Sequence, residues 1–200
     1  LYYGTLPPEL ADRLTNSAMI DRGEFAVLFQ TVKELLSYQQ SDQQLYTQVL
    51  YMLCNGAELD RVLTKMTDVT GDLFVVIDST GKLVAKTKNF YVDYPLWMRS
   101  IEQGYCSDIL MEYIEDRRRK NEYSLSDKPF TLFCEHMQRY LLCTRIVYDN
   151  FMMGYVIIVS KTGMFSAAEQ QIIPLLSNSA KERIVKSNNG NWIDYRASQL

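Results

Sequence analysis

The sequence predicts an α+β fold, an antiparallel sheet of five or six strands flanked by helices. Three observations lead there. Apolar side chains recur at helical spacing before residue 70 and after residue 165. Between them the pattern turns extended, with β-branched and aromatic residues, and is interrupted by one helical stretch. The chain has 200 residues, 47% of them apolar, and a domain of that size buries roughly 70% of its unfolded surface. The composition excludes a disordered chain, a collagen-like repeat and a disulfide-knot scaffold. A net charge of −3 gives the whole chain no pull toward nucleic acid.

The opening stretch, Leu1–Pro8, reads as a short strand stopped by Pro7 and Pro8. Phe25, Leu28, Phe29, Val32, Leu35 and Leu36 then predict a helix over Glu24–Tyr38. Gln39, Gln40, Ser41 and Asp42 are expected to interrupt it, with Ser41 or Asp42 capping a second helix that ends at Asn55-Gly56. A third helix carries Leu59, Val62, Leu63, Met66 and Val69 on one stripe and stops at Gly71.

Leu73–Ile77 is apolar on both faces, as a central strand covered on two sides would be. Asp78-Ser-Thr-Gly81 is a turn signal, and Lys82–Lys88 reads as the hairpin partner. Next comes the helical insert. Pro95 suits a first helical position, Trp97 and Ile101 share a face, and Gly104 closes the turn. Ser107 caps a further helix with Ile109, Leu110, Tyr113 and Ile114 inward, and its Asp116–Lys120 tail reads as a solvated last turn. After Pro129 two strands alternate, Phe130–Met137 with Cys134 and His136 on one face, and Arg139–Asp149 with Leu142, Thr144 and Ile146 on one face. Asp149-Asn150 is a turn. Phe151–Val159 is the last strand, with Gly154 at a bulge or a close approach. Ser166-Ala-Ala-Glu169 is a capping box opening the last helix, and Pro174 predicts a kink or restart within it. From Ser187 onward the residues read as a linker or tail. The apolar runs Leu73–Ile77 and Tyr155–Val159 are far short of the ~20 residues a membrane helix needs, and the stretch from Leu1 does not have the basic-then-apolar pattern of a leader, so no secretory signal is expected.

The four cysteines, Cys54, Cys106, Cys134 and Cys143, have no Cys-x-x-Cys spacing and sit among apolar neighbours, which points to reduced, buried thiols in a cytoplasmic protein. A metal site from Cys134, His136 and Cys143 has too few acidic or imidazole partners, so no metal and no cofactor is implied. There is no Gly-x-Ser-x-Gly elbow, no phosphate-cradling loop and no dinucleotide fingerprint, so nothing requires an enzyme. What stands out is the aromatic lining of the insert. Tyr91, Tyr94, Trp97 and Tyr105 fall close together beside Cys106, and can form a lid over the sheet enclosing a small-molecule pocket. His136 and Arg145 would complete it, Arg145 as counter-charge to an anionic ligand. Core packing and surface tyrosines account for the same residues equally simply.

The run Leu53–Leu63, the strand Leu73-Phe-Val-Val-Ile-Asp-Ser-Thr-Gly-Lys-Leu-Val-Ala85, Trp97 with Glu102–Ser107, the Asn150–Ile157 stretch and Phe165–Glu169 together resemble the sensor half of PucR/CdaR-type bacterial transcription regulators. The resemblance spans about residues 41–183. It implies a GAF-like domain, related in shape to PAS, that senses a small effector on behalf of a C-terminal helix-turn-helix domain. The organisation expected is an N-terminal strand and helix segment at 1–40, a GAF-like sensor domain at 41–186, and a linker or tail at 187–200, with the DNA-binding domain absent from this piece. The expected partners are a small-molecule effector, a second copy of the chain through the flanking helices, and DNA only through that missing domain; no membrane is involved. The alternatives are a ligand-free interaction module and a GAF-type cysteine-dependent reductase.

Overall fold

The structure is a computed structural model and describes residues 22–120 and 128–187. The expected strand at Leu1–Pro8 and the tail beyond Ser187 lie outside the described residues. The chain divides into two compact units, Leu1–Gln44 and Leu45–Leu200.

The first helix, α1 (Arg22–Cys54), corrects the expected break. It runs unbroken for 33 residues through Gln39–Asp42. The interruption contains no Gly or Pro, and Gln, Ser and Asp each cost at most about 0.7 kcal/mol in a helix interior. The second helix, α2 (Leu59–Thr70), buries Leu59, Val62, Leu63 and Met66 and ends where Gly71 adopts φ 77°. Val69, expected on the same stripe, is exposed. It keeps the phase of the stripe, about 20° from Val62, but lies in the last turn before Gly71, at the end of the helix.

Five strands form one antiparallel sheet: β1 (Leu73–Asp78), β2 (Leu83–Lys86), β3 (Phe130–Cys134), β4 (Arg139–Tyr148) and β5 (Phe151–Ser160). Their order is β2-β1-β5-β4-β3. The Asp78–Gly81 turn forms as read, with Asp78 Oδ1 accepting the N–H groups of Thr80 at 2.9 Å and Lys82 at 3.0 Å. Asp149 and Asn150 both take positive φ, the geometry that joins β4 to β5 tightly. Three further helices complete the fold: α3 (Pro95–Glu102), α4 (Asp108–Lys120) and α5 (Ala167–Ser187). The α5 helix continues through Pro174 without the expected restart. Its capping box is formed, Ser166 Oγ accepting the Glu169 N–H at 3.1 Å and Glu169 Oε2 accepting the Ser166 N–H at 2.9 Å.

The period-2 alternation of the inner strands divides the core into two halves. Phe74, Val76, Leu142, Ile146, Val156 and Ile158 face α2 and α5. Val75, Ile77, Leu141, Cys143, Tyr155 and Ile157 face the insert helices α3 and α4. Because β2 and β3 are opposite edges of the sheet, the segment joining them must cross its whole width, and that crossing covers the second face. In α4, Leu110 and Ile114 are buried but Ile109, expected inward, is exposed. It lies about 140° around the helix from Ile114. β3 is shorter than expected. It ends at Cys134, and Gln138 takes φ 51° in the turn that follows, so His136 sits in that turn and not on a strand face with Cys134.

Candidate functional site

The insert begins with a tight turn in which the Tyr94 N–H donates to the Val92 carbonyl at 2.8 Å. Tyr94 is then the extended N-cap of α3, with Pro95 at the first helical position. The next turn carries Trp97 inward to complete burial. It packs edge-on against Phe90 with ring centroids 5.2 Å apart. After α3 the chain is fastened to the β1–β2 turn: the Leu83 N–H donates to the Gly104 carbonyl at 2.8 Å, and the Cys106 N–H to the Gly81 carbonyl at 2.6 Å. Ser107 caps α4 through its carbonyl, which accepts the N–H groups of Leu110 and Met111 at 3.0 Å each. From α4, Glu115 accepts a hydrogen bond from the buried Tyr155 hydroxyl on β5.

On the outer side of this insert a groove of about 330 Å³ opens, lined by Tyr91, Tyr94, Pro95, Met98, Arg99 and Glu102 among others. His136 lies beside it, stacked on the Tyr94 ring with centroids 6.2 Å apart and 20° between planes. Tyr113 meets the imidazole edge-on at 6.5 Å. Arg117 in turn stands over the Tyr113 ring at 5.2 Å and reaches Glu135 at 3.7 Å. The aromatic stack therefore joins α3, α4 and the β3–β4 turn at the groove's margin.

The seven candidate residues separate on this geometry. Tyr91 and Tyr94 line the groove and His136 stacks on Tyr94. Trp97 and Cys106 are core residues beneath it. Tyr105 is exposed, bridging to Lys82. Arg145 is half-buried on the same sheet face, opposite Tyr155 in register. Met98, Arg99 and Glu102 also line the groove, beyond the residues the sequence singles out. Their spacing of one, three and four residues places them on one side of α3, a signal present in the sequence.

Cys54, expected to be buried like the others, is exposed at the end of α1 beside Asn55-Gly56; the three buried thiols lack the electrostatics of nucleophiles. Burial pushes the Cys106 thiol up to about 12. It raises Cys134 and, further, the fully buried Cys143. A thiol so placed stays protonated at neutral pH. Among the described residues no group of three His, Cys, Asp or Glu side chains is placed to hold a metal ion.

A larger, open groove of about 1230 Å³ lies between the end of α1, α2 and β2. Several of its polar groups are already engaged. Asp60 accepts the Lys86 N–H at 3.0 Å and Arg183 at 3.1 Å. Thr64 accepts the Lys88 N–H at 3.0 Å. It reads as the seam that closes the sheet edge, whereas the insert groove gathers exposed rings with charged groups.

No protein-family model matches the chain, and no curated protein matches it. Solved structures do. The chain is similar to the cofactor-binding GAF domain of the nutrient sensor CodY from Clostridium difficile, at 13% identity over 78% of this chain and 97% of that one, with a TM-score of 0.41. It is similar to the GAF domain of a phosphoenolpyruvate-protein phosphotransferase (ptsP) from Coxiella burnetii, at 11% identity over 77% and 98% of the two chains, with a TM-score of 0.42. A third likeness is to the DhaR(N)-DhaL complex of E. coli, at 8% identity, covering 85% of this chain but 56% of that one, with a TM-score of 0.38. Two of the three are GAF domains. Likenesses of this strength bring neither a ligand nor a mechanism to this chain.

Proposed function

We propose that the chain is a GAF-like sensor domain of the PucR/CdaR type, cytoplasmic and non-enzymatic, which binds a small metabolite at the insert and governs an attached helix-turn-helix domain as a homodimer. The observation that carries this reading is the groove of Tyr91, Tyr94, Met98, Arg99 and Glu102, continuous with the Tyr94–His136 stack. Rings and methionine offer apolar contact, and Arg99 with Glu102 offers orienting charge of both signs, a combination suited to a small amphiphilic or zwitterionic molecule. Val92 donates its N–H to the Met98 sulfur at 3.4 Å, and Trp97, one residue before Met98, is fully buried in the core, so a ligand pressing on α3 bears directly on the packing between the insert and the sheet. Sensing further requires that the ligand favour one of two conformations over the other.

The protonated, buried thiols weigh against a cysteine-dependent reductase. A ligand-free interaction module is the second reading, favoured by Trp97 filling the space under the insert.

A thermal-shift screen of purines, organic acids, amino acids and sugars tests the proposal. A ligand at about 100 times its Kd stabilises by about 2.7 kcal/mol, a shift of about 5–10 °C in a domain of this size. A saturable shift, lost in Tyr94→Ala or Arg99→Ala variants that remain folded, supports sensing. A flat screen with a folded dimer supports the interaction module.

A further inference from the structure

At the junction of β1, β5 and α5 lie two carboxyl groups with no cation to balance them. Glu169 is 2% exposed. Its Oε2 accepts the Ser166 N–H at 2.9 Å, while its Oε1 is buried with no hydrogen-bond partner. Facing it is Asp72, the residue before β1, which the antiparallel pairing of Leu73 with Val159 brings to the end of β5. The groups around the pair are neutral. From α2 comes the Thr70 hydroxyl, which accepts the Asp72 N–H at 3.1 Å. From β5 comes the buried Ser160 hydroxyl, in contact with Asp72. From the following loop comes Ser166, and from α5 Gln170, whose side-chain amide donates to the Phe165 carbonyl at 3.1 Å. Lys161 and Asp68, the nearest charged residues along the chain, are exposed, and among the described residues no ion pair includes Asp72 or Glu169.

We propose that Asp72 and Glu169 hold one proton between them, closing the junction of β1, β5 and α5, and that loss of this proton opens the first turn of α5. The helix N-terminus and the Ser166 N–H accommodate one carboxylate. A second beside it, with Glu169 buried and Asp72 half-buried, is opposed by like-charge repulsion. A shared proton removes that repulsion and gives the orphaned Oε1 a donor or an acceptor. Burial, then the charge of Asp72, push the Glu169 carboxyl from its ordinary value of 4.5 up to about 7, and burial raises Asp72 as well. Because the folded state binds this proton more tightly than the unfolded chain, its stabilisation is complete below pH 4.5 and is lost as pH rises through 7. That is opposite to the behaviour of a salt-bridged carboxylate.

Thermal melts of the whole chain at pH 5.5 and pH 8 test the proposal against Glu169→Gln and Asp72→Asn. The wild type is expected to lose at least about 4 °C more than Glu169→Gln between these pH values, and more than Asp72→Asn by a smaller margin, since burial still raises Glu169 in that variant. Should Glu169→Gln fail to fold, Asp72→Asn carries the comparison alone. Infrared difference spectra of the wild type are expected to show a protonated carboxyl at pH 5.5 that titrates near neutrality, is missing from Glu169→Gln and titrates at lower pH in Asp72→Asn. Equal pH responses in wild type and variants, or no such carboxyl, overturn the proposal.

Discussion

Gly154 on β5 lies against the backbone of Ile77 on β1 so closely that a Cβ on Gly154 would sit 2.0 Å from the Ile77 carbonyl oxygen. Its φ of 149° is a conformation that side chains avoid. The obstacle is backbone in the middle of the sheet, where β5 pairs with both β1 and β4, and no side chain can swing aside to relieve it. Gly154→Ala is therefore expected to cost about 3–5 kcal/mol, at the extreme end of point substitutions. Urea unfolding checks this through a lowered midpoint at unchanged slope. An unchanged midpoint would mean that the two strands do not approach in this way.

Trp97 and Tyr94 are three residues apart and should answer substitution in opposite ways. Trp97 is fully buried against Phe90, so Trp97→Ala is expected to destabilise by about 3–5 kcal/mol. Tyr94 is half-buried at the groove, so Tyr94→Ala is expected to cost about 1 kcal/mol while removing ligand binding. Melting curves of the two variants, read beside ligand titrations, separate packing from binding. Equal destabilisation by both would place Tyr94 in the core and remove the groove as a candidate.

The cysteines are expected to divide one against three in alkylation. Cys54 is exposed at the end of α1, while Cys106, Cys134 and Cys143 are buried with their thiols held protonated. Iodoacetamide at pH 8 should add one group to the native chain and four after denaturation, counted by mass spectrometry. The sign follows from the direction of the shift: a thiol at about 12 gains appreciable thiolate only as pH approaches that value. Rapid native labelling of Cys106 would restore the reductase reading.

Most of the sheet was legible because its signals are local. Leu73–Ile77, the Asp78–Gly81 turn, Asp149-Asn150 and the Ser166–Glu169 box each declare themselves within a few residues, and each is present. The misreadings arose where a local cue was outweighed. Gln39–Asp42 has the composition of a break, but a helix already propagating absorbs weak formers. His136 continued the alternation of β3 in sequence, yet the chain had already turned at Glu135–Gln138. The candidate site was only half legible because an aromatic residue looks the same in sequence whether it lines a groove, as Tyr94 does, or fills the core, as Trp97 does. The pairing of Asp72 with Glu169 was not legible at all, since it depends on the register of β1 against β5.

The outer edge of β2 makes the last prediction. An edge strand presents unpaired N–H groups that can recruit another chain. Here α2 covers two of them with side chains, Asp60 accepting the Lys86 N–H at 3.0 Å and Thr64 the Lys88 N–H at 3.0 Å. The other Asp60 oxygen accepts from Arg183 of α5 at 3.1 Å, so one carboxylate ties α2 to both the edge strand and the last helix. The two ties are unequal. Asp60 and Arg183 are each about half exposed, at 46% of their side-chain surface, so solvent screens their attraction and Arg183→Ala is expected to cost about 0.5 kcal/mol. Asp60→Ala also strips the Lys86 N–H of its acceptor, and is expected to cost about 1–2 kcal/mol. Light scattering on heating separates the effects further. Asp60→Ala should aggregate more readily than Arg183→Ala compared at equal stability, because only the former bares the strand edge. If the two aggregate alike, the covering of β2 by α2 plays no part in keeping this edge from other chains.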